Sequence, residues 1–148
     1  MNIRTKDALQ IADSVLQTTG ACIMSGDFAS FHPYFELPQT IETFDGKRCI
    51  KDVQDLELIF VSMRAHLMKL GVTDYVRRCI AAEYVAPGII SVSHETRLMN
   101  GNFLLQPAYP VYGTLRLSEN RWKVANGIYA NVADPAINKA LHATRKDD

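Results

Sequence analysis

At 148 residues the chain has the length of one ordinary domain, long enough to bury a core and too short for two typical ones. Sixteen basic residues balance sixteen acidic ones, and the basic residues cluster no further than pairs such as Lys47 with Arg48 and Arg77 with Arg78, which argues against partners such as nucleic acid or an anionic membrane. No stretch is apolar over the length of a bilayer span, the start MNIRTKDALQ lacks the apolar centre of a signal peptide, and Cys22, Cys49 and Cys79 are widely spaced without a CxxC pair, so reduced, buried thiols and a cytoplasmic location are expected.

In chain order, apolar side chains at Ala8, Leu9, Ala12, Val15, Leu16 and Ile23 have helical spacing over 7–25, with Thr5 as N-cap and Gly26 as stop. Asp27 caps a short second helix that Pro33 ends. Short strand-like pieces follow at 35–37 and 40–44, split by Pro38, with Asp45-Gly46 as a turn. The clearest helix runs over about 53–70, capped by Asp52, with Asp55 three residues on and Gly71 closing it. Its apolar residues Leu56, Ile59, Phe60, Met63, Leu67 and Leu70 form one stripe that another layer must cover.

Four strands supply that layer, near 75–85, 89–99, 109–117 and 121–129, with turns at Pro87-Gly88, Asn100-Gly101 and Glu119-Asn120. Asp134 followed by Pro135 starts a terminal helix over about 135–144. Helices followed by a run of antiparallel strands define an α+β class, with helices covering one face of a sheet in a single domain.

The Gly26-Asp27-Phe28 helix start, the order of elements and the closing Arg121-Trp122-Lys123-Val124 together resemble the nuclear transport factor 2-like superfamily, which includes SnoaL-like cyclases and ketosteroid isomerases, over roughly residues 6–130. The resemblance implies a curved antiparallel sheet wrapped around helices as a cystatin-like cone, a pocket for a small apolar or aromatic molecule, and a homodimer paired through the outer sheet face. The terminal helix lies outside the common core and would cover a pocket mouth or a neighbour. No carboxylate base or tyrosine of the isomerases can be placed on this sequence by motif.

Hairpin register assigns the faces. A two-residue turn at Glu119-Asn120 sets Leu117 opposite Trp122, Leu115 opposite Val124, Gly113 opposite Asn126 and Val111 opposite Ile128, so Tyr109, Val111, Gly113, Trp122, Ile128 and Asn126 face inward. A turn at Pro87-Gly88 sets Ala81 opposite His94 and Arg77 opposite Leu98, with Glu83 diagonal to the histidine. On this register His94 is a candidate general base, Glu83 its orienter and Asn126 an oxyanion donor, for a cofactor-free isomerase, cyclase or dehydratase. A one-residue change in loop length would swap Glu83 for Ala82 and Tyr84.

Each residue has a structural alternative. His94 reads equally as a core histidine with one hydrogen bond, Glu83 as a salt-bridge partner of Arg77, and Asn126 as a strand-packing amide. His66, bordering the long helix's stripe, is a flank or a second pocket group; Tyr34, with His32, is a pocket rim or local packing. Arg78, Ser93, Glu95, Arg97, Tyr112, Thr114 and Arg116 form the outer face, either solvated or a dimer contact. The absence of a phosphate loop, GxGxxG, HExxH, GxSxG or a Cys/His cluster at metal spacing leaves no cofactor or metal implied. A further possibility is an accessory module resembling the small subunits of ring-hydroxylating dioxygenases, with the segment 99–110 and the terminal helix serving a partner.

Overall fold

A computed structural model describes residues 3–144, with side chains from residue 7 onward. Helix α1 (Ile3–Ser25) is followed by α2 (Phe28–Phe31), a 3-10 turn (His32–Tyr34), strands β1 (Phe35–Thr43) and β2 (Gly46–Ile50), and helix α3 (Val53–Leu70). Strands β3 (Asp74–Ala86), β4 (Ile89–Asn100), β5 (Phe103–Leu104), β6 (Tyr109–Ser118) and β7 (Arg121–Tyr129) lead to α4 (Pro135–Leu141). The curved, unclosed sheet runs β2-β1-β7-β6-β4-β3, with β5 paired to the end of β4. All its pairings are antiparallel except β1 with β7. The expected α+β class and added C-terminal helix are therefore present.

Local chemistry explains the helix ends. Asp27, Asp52 and Asp134 each accept a hydrogen bond from the backbone N–H three residues on, at Ser30, Asp55 and Ile137, which satisfies donors that the first helical turn leaves free. Asp55 is fully buried and accepts in turn from Lys51 N. Gly71 ends α3 in the left-handed region at φ 80°. Thr5 lies inside α1 rather than at its cap, because the helix begins before it. The two strand pieces expected around Pro38 are one strand, whose pairing with β7 shifts between Phe35 and Thr40.

Two buried clusters fill the concave side. In the first, Ala8, Ala12 and Val15 of α1, stepped by four and three, pack on Ala82, Ile90, Val92 and Leu115 of the sheet. In the second, the α3 stripe of Leu56, Ile59, Phe60, Met63 and Leu67 meets Cys22 and Ile23 of α1, Ile41, Ile50 and Leu98 of the sheet, and Ile137 and Leu141 of α4. Leu70, placed on that stripe by spacing, is exposed at its C-terminal end. Of the cysteines, Cys22 is buried, Cys79 half-buried and Cys49 exposed, so burial of all three is not realised. No helix among the described residues is long and apolar enough to cross a membrane.

Three bulges decide which side chains reach the interior. Ile80 and Val85 are extra residues on β3, and Ala125 is an extra residue on β7. Each reverses the in-and-out alternation beyond it. Bulges of this kind bend and twist a strand, as a sheet curling over helices requires.

Candidate functional site

The interior holds two small cavities, one of about 60 Å³ and one of about 50 Å³ within the second cluster. Phe35, Arg77 and Tyr129 line both, forming the partition between them. The first cavity lies between α1 (Ala12, Val15, Leu16, Thr19) and the sheet (Val92, His94, Val111, Leu115, Val124). Leu141 of α4 lines the second, so the terminal helix closes one end of the interior.

Two glycines face one another in the wall of the first cavity. Gly113 and Gly127 are directly opposite one another on β6 and β7, and both line the cavity. A Cβ on Gly113 would stand 2.7 Å from the Asn126 carbonyl oxygen, and one on Gly127 would stand 2.9 Å from the Tyr129 ring. Neither position has room for a side chain without a shift of its neighbours.

His94 does face this cavity, buried at 9% exposure. It stands opposite Cys79 on β3 and Val111 on β6, not opposite Ala81. Among the described residues nothing hydrogen-bonds its ring. Burial, reinforced by the positive charge of Arg77, pushes its pKa down to about 3. The imidazole is therefore neutral at physiological pH, carrying one donor and one acceptor.

The other two members of the expected constellation are turned toward the surface. The Val85 bulge pairs Glu83 with Ser91, and Glu83 is exposed while Ala82 and Tyr84 pack inward. The Ala125 bulge likewise pairs Asn126 with Thr114 and Ile128 with Tyr112, leaving both side chains exposed and bringing Gly127 and Tyr129 inward. Glu83 thus cannot orient the His94 ring, whereas Asn126, though exposed, borders the same cavity as His94.

Of the remaining expected lining residues, Val111 and Gly113 border the cavity, and Tyr109 is buried further along the same strand. Trp122 packs edge-on to Tyr84 at 6.0 Å between ring centres, and Tyr34 lies beneath the Arg121 guanidinium at 4.7 Å, both outside the two cavities. His32 packs on Phe28. His66 belongs to a separate structural network: its Nε2 is 2.7 Å from Asp134 Oδ2, which also accepts from Gln106 at 2.9 Å.

The residue that sequence reasoning undervalued is Arg77. It faces Thr96 on β4, and its Nη2 donates to Leu16 O at 2.7 Å and to Thr19 Oγ1. Thr19 Oγ1 itself donates to Val15 O at 2.8 Å, so α1 offers the guanidinium one carbonyl and one hydroxyl. The Tyr75 ring lies 5.1 Å from the guanidinium carbon, a cation–π contact of roughly 0.5–2 kcal/mol. Nε is buried and makes no hydrogen bond. Nearby phenols stay protonated: burial pushes Tyr129 up to about 12 and Tyr109 well above the ordinary phenol range. Among the described residues no group of three or more His, Cys, Asp or Glu gathers as a metal site.

No protein-family model matches the sequence, and no curated protein matches it. Solved structures do match in shape. A nuclear transport factor 2-like protein of unknown function from Shewanella oneidensis superposes with a TM-score of 0.64 at 8% identity, over 82% of this chain and 98% of that one. A Streptomyces avermitilis protein of the same family, provisionally named a dehydratase, gives 0.63 at 9% identity over 86% and 97%. A ketosteroid isomerase-like protein from Erwinia carotovora gives 0.61 at 12% identity over 85% and 97%. The chain thus has the nuclear transport factor 2-like fold, and at such identities the likeness is one of fold alone.

Proposed function

We propose that the chain is a small-molecule-binding protein whose ligand occupies the space between α1 and the concave sheet. The carrying observation is that His94, Thr19 and Arg77 converge on a cavity whose walls are otherwise mostly aliphatic, the makeup of an orienting ligand site. Its size favours a very small ligand. About 60 Å³ would hold a few waters, whereas a cavity of roughly 150 Å³ is needed for benzene. A steroid-sized molecule would require the Phe35, Arg77 and Tyr129 partition to move. Screening small fragments by methyl NMR should give saturable shifts at Val15, Val92, Val111 and Val124. Shifts restricted to surface methyls such as Val61 and Val132, or none across the screen, would remove this function.

Catalysis through His94 as general base is less well supported. A conjugate acid near pH 3 makes a weak base at neutral pH, and the geometry supplies no orienting carboxylate.

Assembly as a homodimer through the outer sheet face belongs to the same proposal. Tyr112 and Ile128 are neighbours in register on that face, 46% and 47% exposed, and aromatic and aliphatic side chains so placed favour contact over solvation. Sedimentation equilibrium at micromolar concentration should report two chains, and Ile128→Asp should shift the protein to monomer. A wild-type monomer under these conditions would refute the dimer.

A further inference from the structure

Arginine is almost never enclosed in a protein without an anionic partner, because an uncompensated charge out of water is costly to retain. Arg77 is half-buried, and the part of it that is enclosed lacks such a partner. Its Nη2 is committed to α1, its Nε is enclosed without a partner, and among the described residues no carboxylate lies within salt-bridge distance of it. Neither of the two interior cavities is lined by an Asp or Glu, and Arg77 is the charged side chain of both linings; its other side borders an open cleft between α1 and the start of β3, where Asp74 also lies.

The other polar groups around it are neutral. His94 is held unprotonated by burial and by the same guanidinium, and Tyr129 is held protonated by burial. Among the described residues the linings of the two interior cavities therefore carry one positive charge and no countercharge of their own.

We propose that Arg77 is the anion receptor of this interior and that the ligand is a short-chain monocarboxylate, its carboxylate at the guanidinium and its apolar tail among Val15, Val92 and Val111. Arginine suits that task, being always charged and well matched to carboxylate. The neutral His94 ring, on the same wall, has one N–H to donate to the second oxygen. The inference rests on the pocket function proposed above and narrows it to a ligand class.

The test is calorimetric titration, in carboxylate-free buffer at constant ionic strength, with acetate, propionate and butyrate and with the matched amides acetamide, propionamide and butyramide. At least one carboxylate should bind, its amide at least about tenfold more weakly, and Arg77→Met should lose the carboxylate by a similar factor. Arg77→Lys should retain part of the affinity. In the wild type, carboxylate binding should raise the His94 pKa read by NMR, because the anion offsets the guanidinium charge; this readout does not depend on a variant that folds.

Equal binding of acids and amides, unaffected by Arg77→Met, would overturn the anion receptor while leaving the pocket function standing. Equal protection by chloride or nitrate would overturn carboxylate selectivity in favour of simple ion binding. No binding by any acid or amide, with His94 unmoved, would overturn both proposals.

Discussion

Asp134→Ala should destabilise the protein by about 2–4 kcal/mol and release the C-terminal helix from α3. The carboxylate has two tasks: one oxygen caps α4 through Ile137 N, and the other accepts from His66 and Gln106. Losing an N-cap costs about 0.5–2 kcal/mol, and stranding enclosed donors costs roughly 1–3 kcal/mol more. The network continues from Gln106 to Asn131, which is fully buried, and from the Asn131 carbonyl to Asn138 of α4. Urea unfolding and amide exchange at Ile137 to Leu141 measure the effect. A loss under about 1 kcal/mol with those amides still protected would show that α4 is held by its apolar face alone.

The same residue predicts a pH signature. Burial alone would raise the Asp134 pKa, but its hydrogen bonds from His66, Gln106 and Ile137 N prevail and hold the carboxyl below the usual carboxylate range. Because the folded pKa is depressed, this stabilisation is complete above the unfolded value, near 3.9, and is lost as pH falls through the folded one. His94 acts in a higher window. Its unfolded form takes up a proton below about pH 6.5, whereas the folded form resists until about 3, so stability falls with pH across that interval. Asp134→Ala should therefore flatten the stability curve below about pH 4 and leave the slope between 4 and 6.5 in place.

Phe60→Ala should cost about 3–5 kcal/mol, the usual range for removing a buried phenylalanine, and lower the melting temperature by on the order of 10 °C. Phe60 is 4% exposed, with its ring centre 4.8 Å from Phe31 and 5.2 Å from Phe28. It also lines the second cavity, so the truncation enlarges a space of about 50 Å³ by most of a phenyl ring. Benzene should then restore part of the stability, since a ligand that binds only the folded state shifts the unfolding equilibrium. Calorimetric melting with and without benzene gives both quantities. A loss below about 1 kcal/mol would mean that the three rings do not pack as described.

How far the sequence revealed the site varies along each strand. The Glu119-Asn120 turn, with both residues in the left-handed region at φ 54° and 61°, fixes the pairs Leu117 with Trp122 and Leu115 with Val124 as the sequence predicts. The very next residue, Ala125, breaks the count, and the register assignments of Asn126 and Ile128 fail together. On β3 the two bulges cancel. Arg77 and Cys79 keep the inward face that alternation predicts, with partners displaced by two, while Glu83, between the bulges, is turned outward.

Period-two patterning is local, whereas bulges answer the curvature of the whole sheet. They leave little trace in residue type: Ile80 and Val85 are ordinary strand residues and stand 59% and 58% exposed. The helices were easier, because caps such as Asp52 and Asp134 are written in adjacent residues. Arg77 was legible as an inward residue but not as an unpaired one. Its lack of an ion pair depends on the bulges, which turn Glu83, the partner that the sequence suggests, to the surface.

A bulge also makes the lining of this interior sensitive to chain length as well as to residue identity. A chain lacking Ala125 but keeping the Glu119-Asn120 turn would turn Asn126 and Ile128 toward the ligand space and send Gly127 and Tyr129 to the surface. One codon inserted or deleted can thus reline half a wall, and recast the opposite surface, without a single substitution. For scaffolds that share a shape at 8–12% identity, small length changes of this kind are a short genetic route from one ligand chemistry to another.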